Sequence, residues 1–193
     1  VRRFDREKTA KGWTRKAMVS ALTLLGLDEM MGRYASYQDL ADMIRARFTS
    51  PKAALRELYG RLVFNVLCGN TDDHARNHAA FGEGETLTLP SAYHICPQNR
   101  TGRETNQAML ITGERRASTL ATCIKAAPRF LLKEKDALDI IAVQIEGIRM
   151  HWPEVTQEAA LTEIDKGVLW RRRFLNPYAF EDAPPAIAAM DRD

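Results

Sequence analysis

The chain has 193 residues, of which 45% are hydrophobic, and this predicts one domain with a sizeable core. Its formal net charge of +3 argues neither for nor against a nucleic-acid partner. The three cysteines form no CxxC pair, so we predict neither a zinc site of thiolates nor a disulfide framework. We expect the protein to lie in a reducing cytoplasm. No apolar run is long enough to span a bilayer and no signal peptide precedes the domain, so we expect no membrane association.

The N-terminal segment carries weak signals. Residues 1–6 are predicted to be the last strand of an upstream unit, or a linker leaving it, and the polar residues 7–12 to be a loop. A helix is predicted from Thr14 or Arg15 to Leu25, because apolar side chains recur at helical spacing and Gly26 follows as a stop.

Two clearer helices follow. Ser36 is a good N-cap, and Asp39 three residues later completes an approximate capping box; Leu40, Ile44 and Phe48 then form one apolar face. Ser50-Pro51 opens a helix that should run to about Cys68. Its apolar stripe is broad, which indicates burial on more than one side and makes it the central helix.

The second half is predicted to be helical apart from a few short elements. A hairpin is predicted where a Gly-rich turn lies between residues 78–81 and 86–89. A short strand is predicted at 109–112. Helices are predicted at 118–126 and 134–152, and a third from Pro153 to about 174, whose basic end at 170–173 should be solvated. The Pro- and Ala-rich tail from about 177 to 193 should be poorly ordered.

Polar residues cluster directly after the central helix. Gly69-Asn70 ends the helix, and the string TDDHARN then brings two carboxylates, an imidazole, a guanidinium and a carboxamide into a short loop. Asp72 and Asn77 are five residues apart, which is the separation of the catalytic Asp and the magnesium-binding Asn in protein kinases. This spacing alone is weak evidence, because such pairs also occur by chance.

Three longer strings resemble one family. NVLxGNTDDHxRNH at 65–78 resembles the catalytic loop of the HipA family, which are bacterial toxin serine/threonine kinases. RFDR at 3–6 resembles the family's motif at the nucleotide hinge, and LPSAYHICP at 89–97 resembles its metal-binding motif, which usually reads LSPAYD. The match is specific up to about Pro97.

The resemblance implies a fold and a function. The fold would be mainly α: the large helical lobe of a HipA-like, protein-kinase-like fold with a small β-hairpin, extending over residues 1–193. The small nucleotide-binding lobe, with its phosphate loop and lysine, would lie upstream, so we expect the chain to be a piece of a longer protein. The activity would be phosphate transfer from ATP, with Mg²⁺, to a serine or threonine of a protein. In family members that protein is an aminoacyl-tRNA synthetase.

The resemblance also assigns roles to residues. Asp72 would accept or orient the acceptor hydroxyl, and Asn77 would bind Mg²⁺ through its amide oxygen. Phe4 would face adenine and Asp5 the ribose. The cation Arg76 would contact phosphate. His74 would orient the loop through hydrogen bonds to the backbone, while Asp73 would point to solvent or to a cap.

His94 departs from the family. The family has an aspartate at this position that joins the metal to the nucleotide phosphates, whereas imidazole is neutral when unperturbed and prefers softer metals. The sequence therefore predicts weak magnesium binding at His94 and an impaired or inactive kinase.

Two alternatives stay open. His74 and His78, four residues apart and close to two carboxylates, could hold zinc if the segment were helical. The chain could also be a non-catalytic binding module of a toxin–antitoxin complex, since HipA-family toxins pair with a DNA-binding antitoxin and contact DNA only through it.

Overall fold

A computed structural model describes residues 3–99 and 102–192. Its strands are β1 (Arg6–Thr9), β2 (Gly12–Arg15), β3 (Met18–Ser20), β4 (Ala79–Glu83) and β5 (Thr86–Thr88). Its helices are α1 (Ala21–Leu24), α2 (Tyr37–Arg47), α3 (Pro51–Cys68), α4 (Leu120–Ala126), α5 (Glu134–Glu158), α6 (Glu163–Leu169) and α7 (Pro185–Ala188). Helices are the main elements, as the sequence predicts, but the strands form two small sheets where the sequence predicts one hairpin.

Helix α3 is the centre of the core. It begins at Pro51 and ends at Gly69, which adopts a left-handed conformation with φ of 73° and donates its N–H to the carbonyls of Asn65 and Val66. A Cβ at Gly69 would lie 2.9 Å from the carbonyl oxygen of Arg173, so both the backbone angle and the close approach require glycine. The buried side chains on several faces of α3 confirm the predicted central helix; they include Leu55, Leu58, Tyr59, Leu62, Val63 and Val66.

Helix α2 begins at the predicted N-cap, Ser36, but among the described residues the Asp39 side chain does not accept from the Ser36 backbone N–H, so the predicted capping box is incomplete. Ser36 Oγ accepts a hydrogen bond from the Asp39 N–H at 3.0 Å and donates one to Asp39 Oδ2 at 2.6 Å. The predicted apolar face of Leu40, Ile44 and Phe48 is buried. By contrast, Ser50 occupies the N-cap of α3 but its side chain makes no capping bond to the residues that the structure describes.

The predicted hairpin supplies two strands, β4 and β5, of a three-stranded antiparallel sheet in the order β3-β4-β5, in which β4 is central. Phe81 in β4 pairs with Met18 on one side and with Thr88 on the other. The predicted helix from Thr14 or Arg15 to Leu25 is therefore wrong, because β3 pairs with β4 and only the four residues of α1 are helical. The predicted loop at 7–12 is also wrong, since β1 and β2 pair with each other.

The C-terminal region differs from expectation at three places. Helix α5 continues through Pro153, where a break was predicted, because Trp152 packs against Trp170 and Phe174 with ring centroids 4.8 and 5.2 Å apart. The next helix, α6, is short and ends at Leu169. The expected strand at 109–112 forms only isolated bridges, although Met109 and Ile111 are fully buried.

The tail is ordered against the core. A 3-10 turn at Pro177–Phe180 and helix α7 replace the expected disorder, because Tyr178, Phe180 and Ile187 bury their side chains. No helix in residues 3–99 and 102–192 combines the length and the apolar character needed to cross a membrane.

Candidate functional site

The polar loop after α3 is fixed at both ends. At its start, Asn70 donates its side-chain amide to Asn65 Oδ1 at 3.0 Å and its backbone N–H to the Asn65 carbonyl at 2.9 Å. At its end, a 3-10 turn at Ala75–Asn77 leads into β4. Secondary structure therefore holds the loop in place from both sides.

Asp72 and Asn77 are joined within this loop. The Asn77 amide nitrogen donates to the backbone carbonyl of Asp72 at 2.8 Å, and the Asn77 backbone N–H donates to the carbonyl of His74 at 2.8 Å. The Asp72 side chain keeps 51% of its surface exposed, whereas Asn77 is buried. The loop thus presents a carboxylate to solvent from a fixed main chain, and the Asn77 amide keeps its oxygen as a free acceptor within the described residues.

Asp73 was predicted to face solvent or a cap, and that prediction is wrong. Its side chain is 3% exposed, its Oδ1 lies 2.9 Å from His78 Nε2, and it accepts a hydrogen bond from the Tyr37 hydroxyl. The His78 contact is electrostatic in character and is not a well-aligned hydrogen bond. The His74 N–H bonds to the Asp72 carbonyl at 3.1 Å, so the chain turns at Asp73; the Asp72 side chain faces outward and the Asp73 side chain inward.

The buried network shifts the titration of its members. Burial raises the pKa of the Asp73 carboxyl, but the charge and hydrogen bonds of its neighbours, His78 first, outweigh burial and hold that pKa below its ordinary value of 3.8. Burial and the Asp73 carboxylate raise the pKa of the Tyr37 hydroxyl well above its ordinary range, so Tyr37 remains a hydrogen-bond donor. The network fastens the loop to α2.

His74 supports the loop with its main chain. Its backbone N–H donates to the Asp72 carbonyl at 3.1 Å and its carbonyl accepts from Asn77. Its imidazole Nδ1 is buried and makes no hydrogen bond in the part of the chain that is described, contrary to the expected bond between this side chain and the backbone. The other ring nitrogen, Nε2, lies 3.9 Å from Asp72 Oδ1.

The segment with His94 lies against this loop, as the resemblance implies. The Tyr93 hydroxyl donates to the Arg76 carbonyl at 2.9 Å, and the Gln98 N–H donates to the Gly69 carbonyl at 2.9 Å. The exposed His94 ring has its centroid 6.1 Å from that of His74. Its backbone adopts a left-handed conformation with φ of 57°, which Asp, Asn and His tolerate better than most residues.

The residues expected at the nucleotide already have partners. The Phe4 ring stacks on Tyr93 with centroids 5.9 Å apart, which brings the hinge motif to the metal motif. Arg3 forms an ion pair with Asp5 at 2.6 Å and lowers the pKa of that carboxyl. Arg76 forms an exposed ion pair with Glu29 at 2.7 Å, beside a cavity of about 230 Å³ that His74 also lines.

The zinc site of His74 and His78 does not form. The segment is a 3-10 turn followed by a strand and not an α-helix, and His78 is buried against Asp73. Within residues 3–99 and 102–192, no three His, Cys, Asp or Glu side chains are assembled as a metal site.

The donor chemistry does not fit the magnesium site that the resemblance implies. Mg²⁺ demands hard oxygen ligands in near-octahedral geometry and is usually bound through carboxylates. Asn77 contributes a neutral oxygen, but position 94 contributes an imidazole in place of the second carboxylate. The loop thus joins Asp72 and Asn77, while His94 lacks the carboxylate that the family's metal motif has at this position.

Comparison with known proteins gives two positive findings. The family model described as the HipA-like C-terminal domain matches residues 1–152. Solved structures match over most of the chain, among them the complex of HipA, HipB and operator DNA from Shewanella oneidensis MR-1, with a TM-score of 0.64 and 16% identity. The match covers 89% of this chain and 45% of that one, so this chain spans less than half of that protein. No curated protein gives a significant match.

Proposed function

Because this chain belongs to the family of HipA-like C-terminal domains, we propose that it is the large lobe of a toxin-type serine/threonine protein kinase. Asp72 would be its catalytic carboxylate. The observation that carries the proposal is the bond from the Asn77 amide to the Asp72 main chain. It joins the two positions to which the resemblance assigns the catalytic Asp and the metal-binding Asn, while the Asp72 carboxylate stays exposed.

The chemistry assigned to Asp72 is proton acceptance. A serine or threonine hydroxyl of the protein substrate hydrogen-bonds to the carboxylate, its oxygen forms a bond to the terminal phosphorus of ATP, and ADP leaves with the electrons of the broken bond. The hydroxyl proton passes to Asp72. The half-exposed position of this side chain leaves room for a protein substrate.

Phe4 and Asp5 would form the nucleotide side of the site. The stack of Phe4 on Tyr93 places the hinge motif beside the loop, which supports an adenine position near Phe4. Asp5 would leave its ion pair with Arg3 and bind a ribose hydroxyl. Arg76 would leave its ion pair with Glu29 and bind phosphate. Both ion pairs are largely exposed, and exposed pairs are weak enough to exchange partners. The phosphate loop and lysine would come from the small lobe.

The partner would be a DNA-binding antitoxin, and DNA would be contacted only through it. Support comes from the family and from the similar Shewanella structure, which is a complex of HipA, HipB and operator DNA. The protein substrate would be an aminoacyl-tRNA synthetase, as in family members. His94 favours a second candidate, in which the chain keeps the antitoxin contact as a non-catalytic module.

The test is the substitution His94→Asp in the chain preceded by the small lobe of a HipA-family kinase. We expect the aspartate to tighten magnesium-dependent ATP binding, and to raise phosphate transfer, by at least about tenfold, because a carboxylate gives Mg²⁺ the anionic ligand that imidazole does not. Calorimetric titration of Mg²⁺ against ATP, beside transfer of labelled phosphate to a panel of aminoacyl-tRNA synthetases, measures both effects.

His151→Asp is the matched control, because His151 is 59% exposed on α5. Equal magnesium dependence and equal transfer in the parent and His94→Asp proteins would show that position 94 is not the metal position. Restored ATP binding without any transfer would favour the non-catalytic module.

A further inference from the structure

A cavity with aromatic walls lies between helices α3 and α5, and none of the residues assigned to the kinase chemistry lines it. Its volume is about 510 Å³, within the range of roughly 300–1,000 Å³ that is typical of small-molecule sites. Three rings line it, those of Phe64, Trp152 and Phe174, and the last two have centroids 5.2 Å apart. All three side chains stay partly open to solvent, so the cavity offers aromatic surface to a flat apolar molecule.

One polar side chain in the lining has an acceptor without a donor. The Gln144 Nε2 donates to the Gly60 carbonyl at 2.9 Å, and this bond fixes which end of the amide is nitrogen, because only the NH₂ group can donate to a carbonyl. The other end, Gln144 Oε1, is buried and accepts no hydrogen bond from the described residues. The last torsion of a glutamine side chain is soft, so this oxygen can turn toward a donor in the cavity.

A glycine keeps the cavity open. Gly147 lines it from the interior of α5, where glycine is less favourable than other residues. A Cβ at Gly147 would meet no atom of the described residues within 4 Å, so α5 itself does not require glycine there. The lining residues Val143 and Val155 are exposed, which leaves the cavity accessible from solvent.

We propose that this cavity binds a planar, apolar small molecule of about two or three fused rings that carries one N–H or O–H group. The rings would lie among the three aromatic side chains, and the donor would bond to Gln144 Oε1. An apolar lining selects the ring system, and the single buried acceptor selects the donor. The inference goes beyond the proposed kinase function and does not depend on it.

Titration calorimetry of the 193-residue chain with 2-naphthol and with 2-methoxynaphthalene tests the proposal, because the two probes share a ring system and only 2-naphthol has a donor. We expect one site per chain and binding of 2-naphthol that is tighter by at least about threefold. Gly147→Leu should weaken 2-naphthol binding by at least about tenfold, since the leucine side chain fills the cavity. Gln144→Met keeps an apolar wall of similar size and should abolish the preference between the probes.

Gly167→Leu is the matched control, because Gly167 lies on α6 and a Cβ there also meets no described atom within 4 Å. It should bind 2-naphthol as the parent does. Absence of binding in the parent, unchanged binding in Gly147→Leu, lost binding in Gly167→Leu, or equal affinity of the parent for both probes would overturn the proposal. So would a dimer of the parent in analytical ultracentrifugation that Gly147→Leu dissociates, because a second copy would then cover the cavity. Phosphate transfer is not part of the readout, so the kinase proposal can fail while this one stands.

Discussion

Replacing Asp73 by alanine is expected to lower the free energy of unfolding at neutral pH by about 1–3 kcal/mol for each buried polar group that it leaves without a partner. His78 would lose its carboxylate, and the Tyr37 hydroxyl its acceptor, in a region closed to water. Urea unfolding followed by circular dichroism measures the change. Asp139→Ala, at an exposed carboxylate on α5, is the control and should stay within about 0.5 kcal/mol.

The same network makes an acid-dependent contribution with a definite sign. The folded-state pKa of Asp73 lies below 3.8, so its stabilising effect is fully present above that value and is lost as pH falls through the folded-state pKa. The parent should therefore lose more stability than Asp73→Ala when the pH is lowered from about 5 to below 3.8. An identical acid response in the two proteins would show that Asp73 is not held ionised by its neighbours.

Asp72→Asn is expected to reduce phosphate transfer by about 10²–10⁴-fold, which is the usual contribution of a positioned general base. Asparagine keeps the size and the outward position of the side chain but cannot accept the hydroxyl proton. The rate should be measured in the His94→Asp protein that carries a small lobe, where transfer is fast enough to quantify.

Asp139→Asn is the matched control for this substitution, since it removes an exposed carboxylate far along the sequence from the loop. Its transfer rate should equal that of its parent. A rate in Asp72→Asn within about twofold of the control, against the 10²-fold minimum expected of a general base, would show that Asp72 does not take part in the reaction.

Central helix α3 and the loop after it could be predicted from the sequence because their signals are local. Pro51 and Gly69 mark the two ends of α3 by their own backbone preferences. The N-cap at Ser36 involves only residues three positions apart. A long sequence match to one family identifies the loop. The spacing of Asp72 and Asn77 indicates a catalytic role only together with that match.

The sheet and the buried network depend on contacts that sequence spacing does not encode. Strand β3 exists because β4 lies beside it, about 60 residues further along the chain; tertiary pairing there overrides an apparent helical pattern. The difference between Asp72 and Asp73 follows from Tyr37 and His78, which fold around one carboxylate and not the other.

Tertiary packing also explains why the C-terminal region differs from its sequence predictions. Pro153 lacks a backbone donor and predicts a break, yet α5 continues through it, and Trp152 directly before it packs against Trp170 and Phe174. The composition of the tail indicates disorder, yet Tyr178, Phe180 and Ile187 find places in the core. In both places the decisive partners are distant in sequence.

A thermal melt of Asp72→Asn beside Asp73→Asn tests most directly the central claim, which is that Asp72 serves chemistry and Asp73 serves the fold. The substitutions are chemically identical, adjacent in sequence and measurable on the 193-residue chain. The account predicts that Asp72→Asn melts within about 2 °C of the parent, while Asp73→Asn melts at least about 4 °C lower. A lower melting temperature for Asp72→Asn than for Asp73→Asn would contradict it, because Asp72 would then be a structural cap.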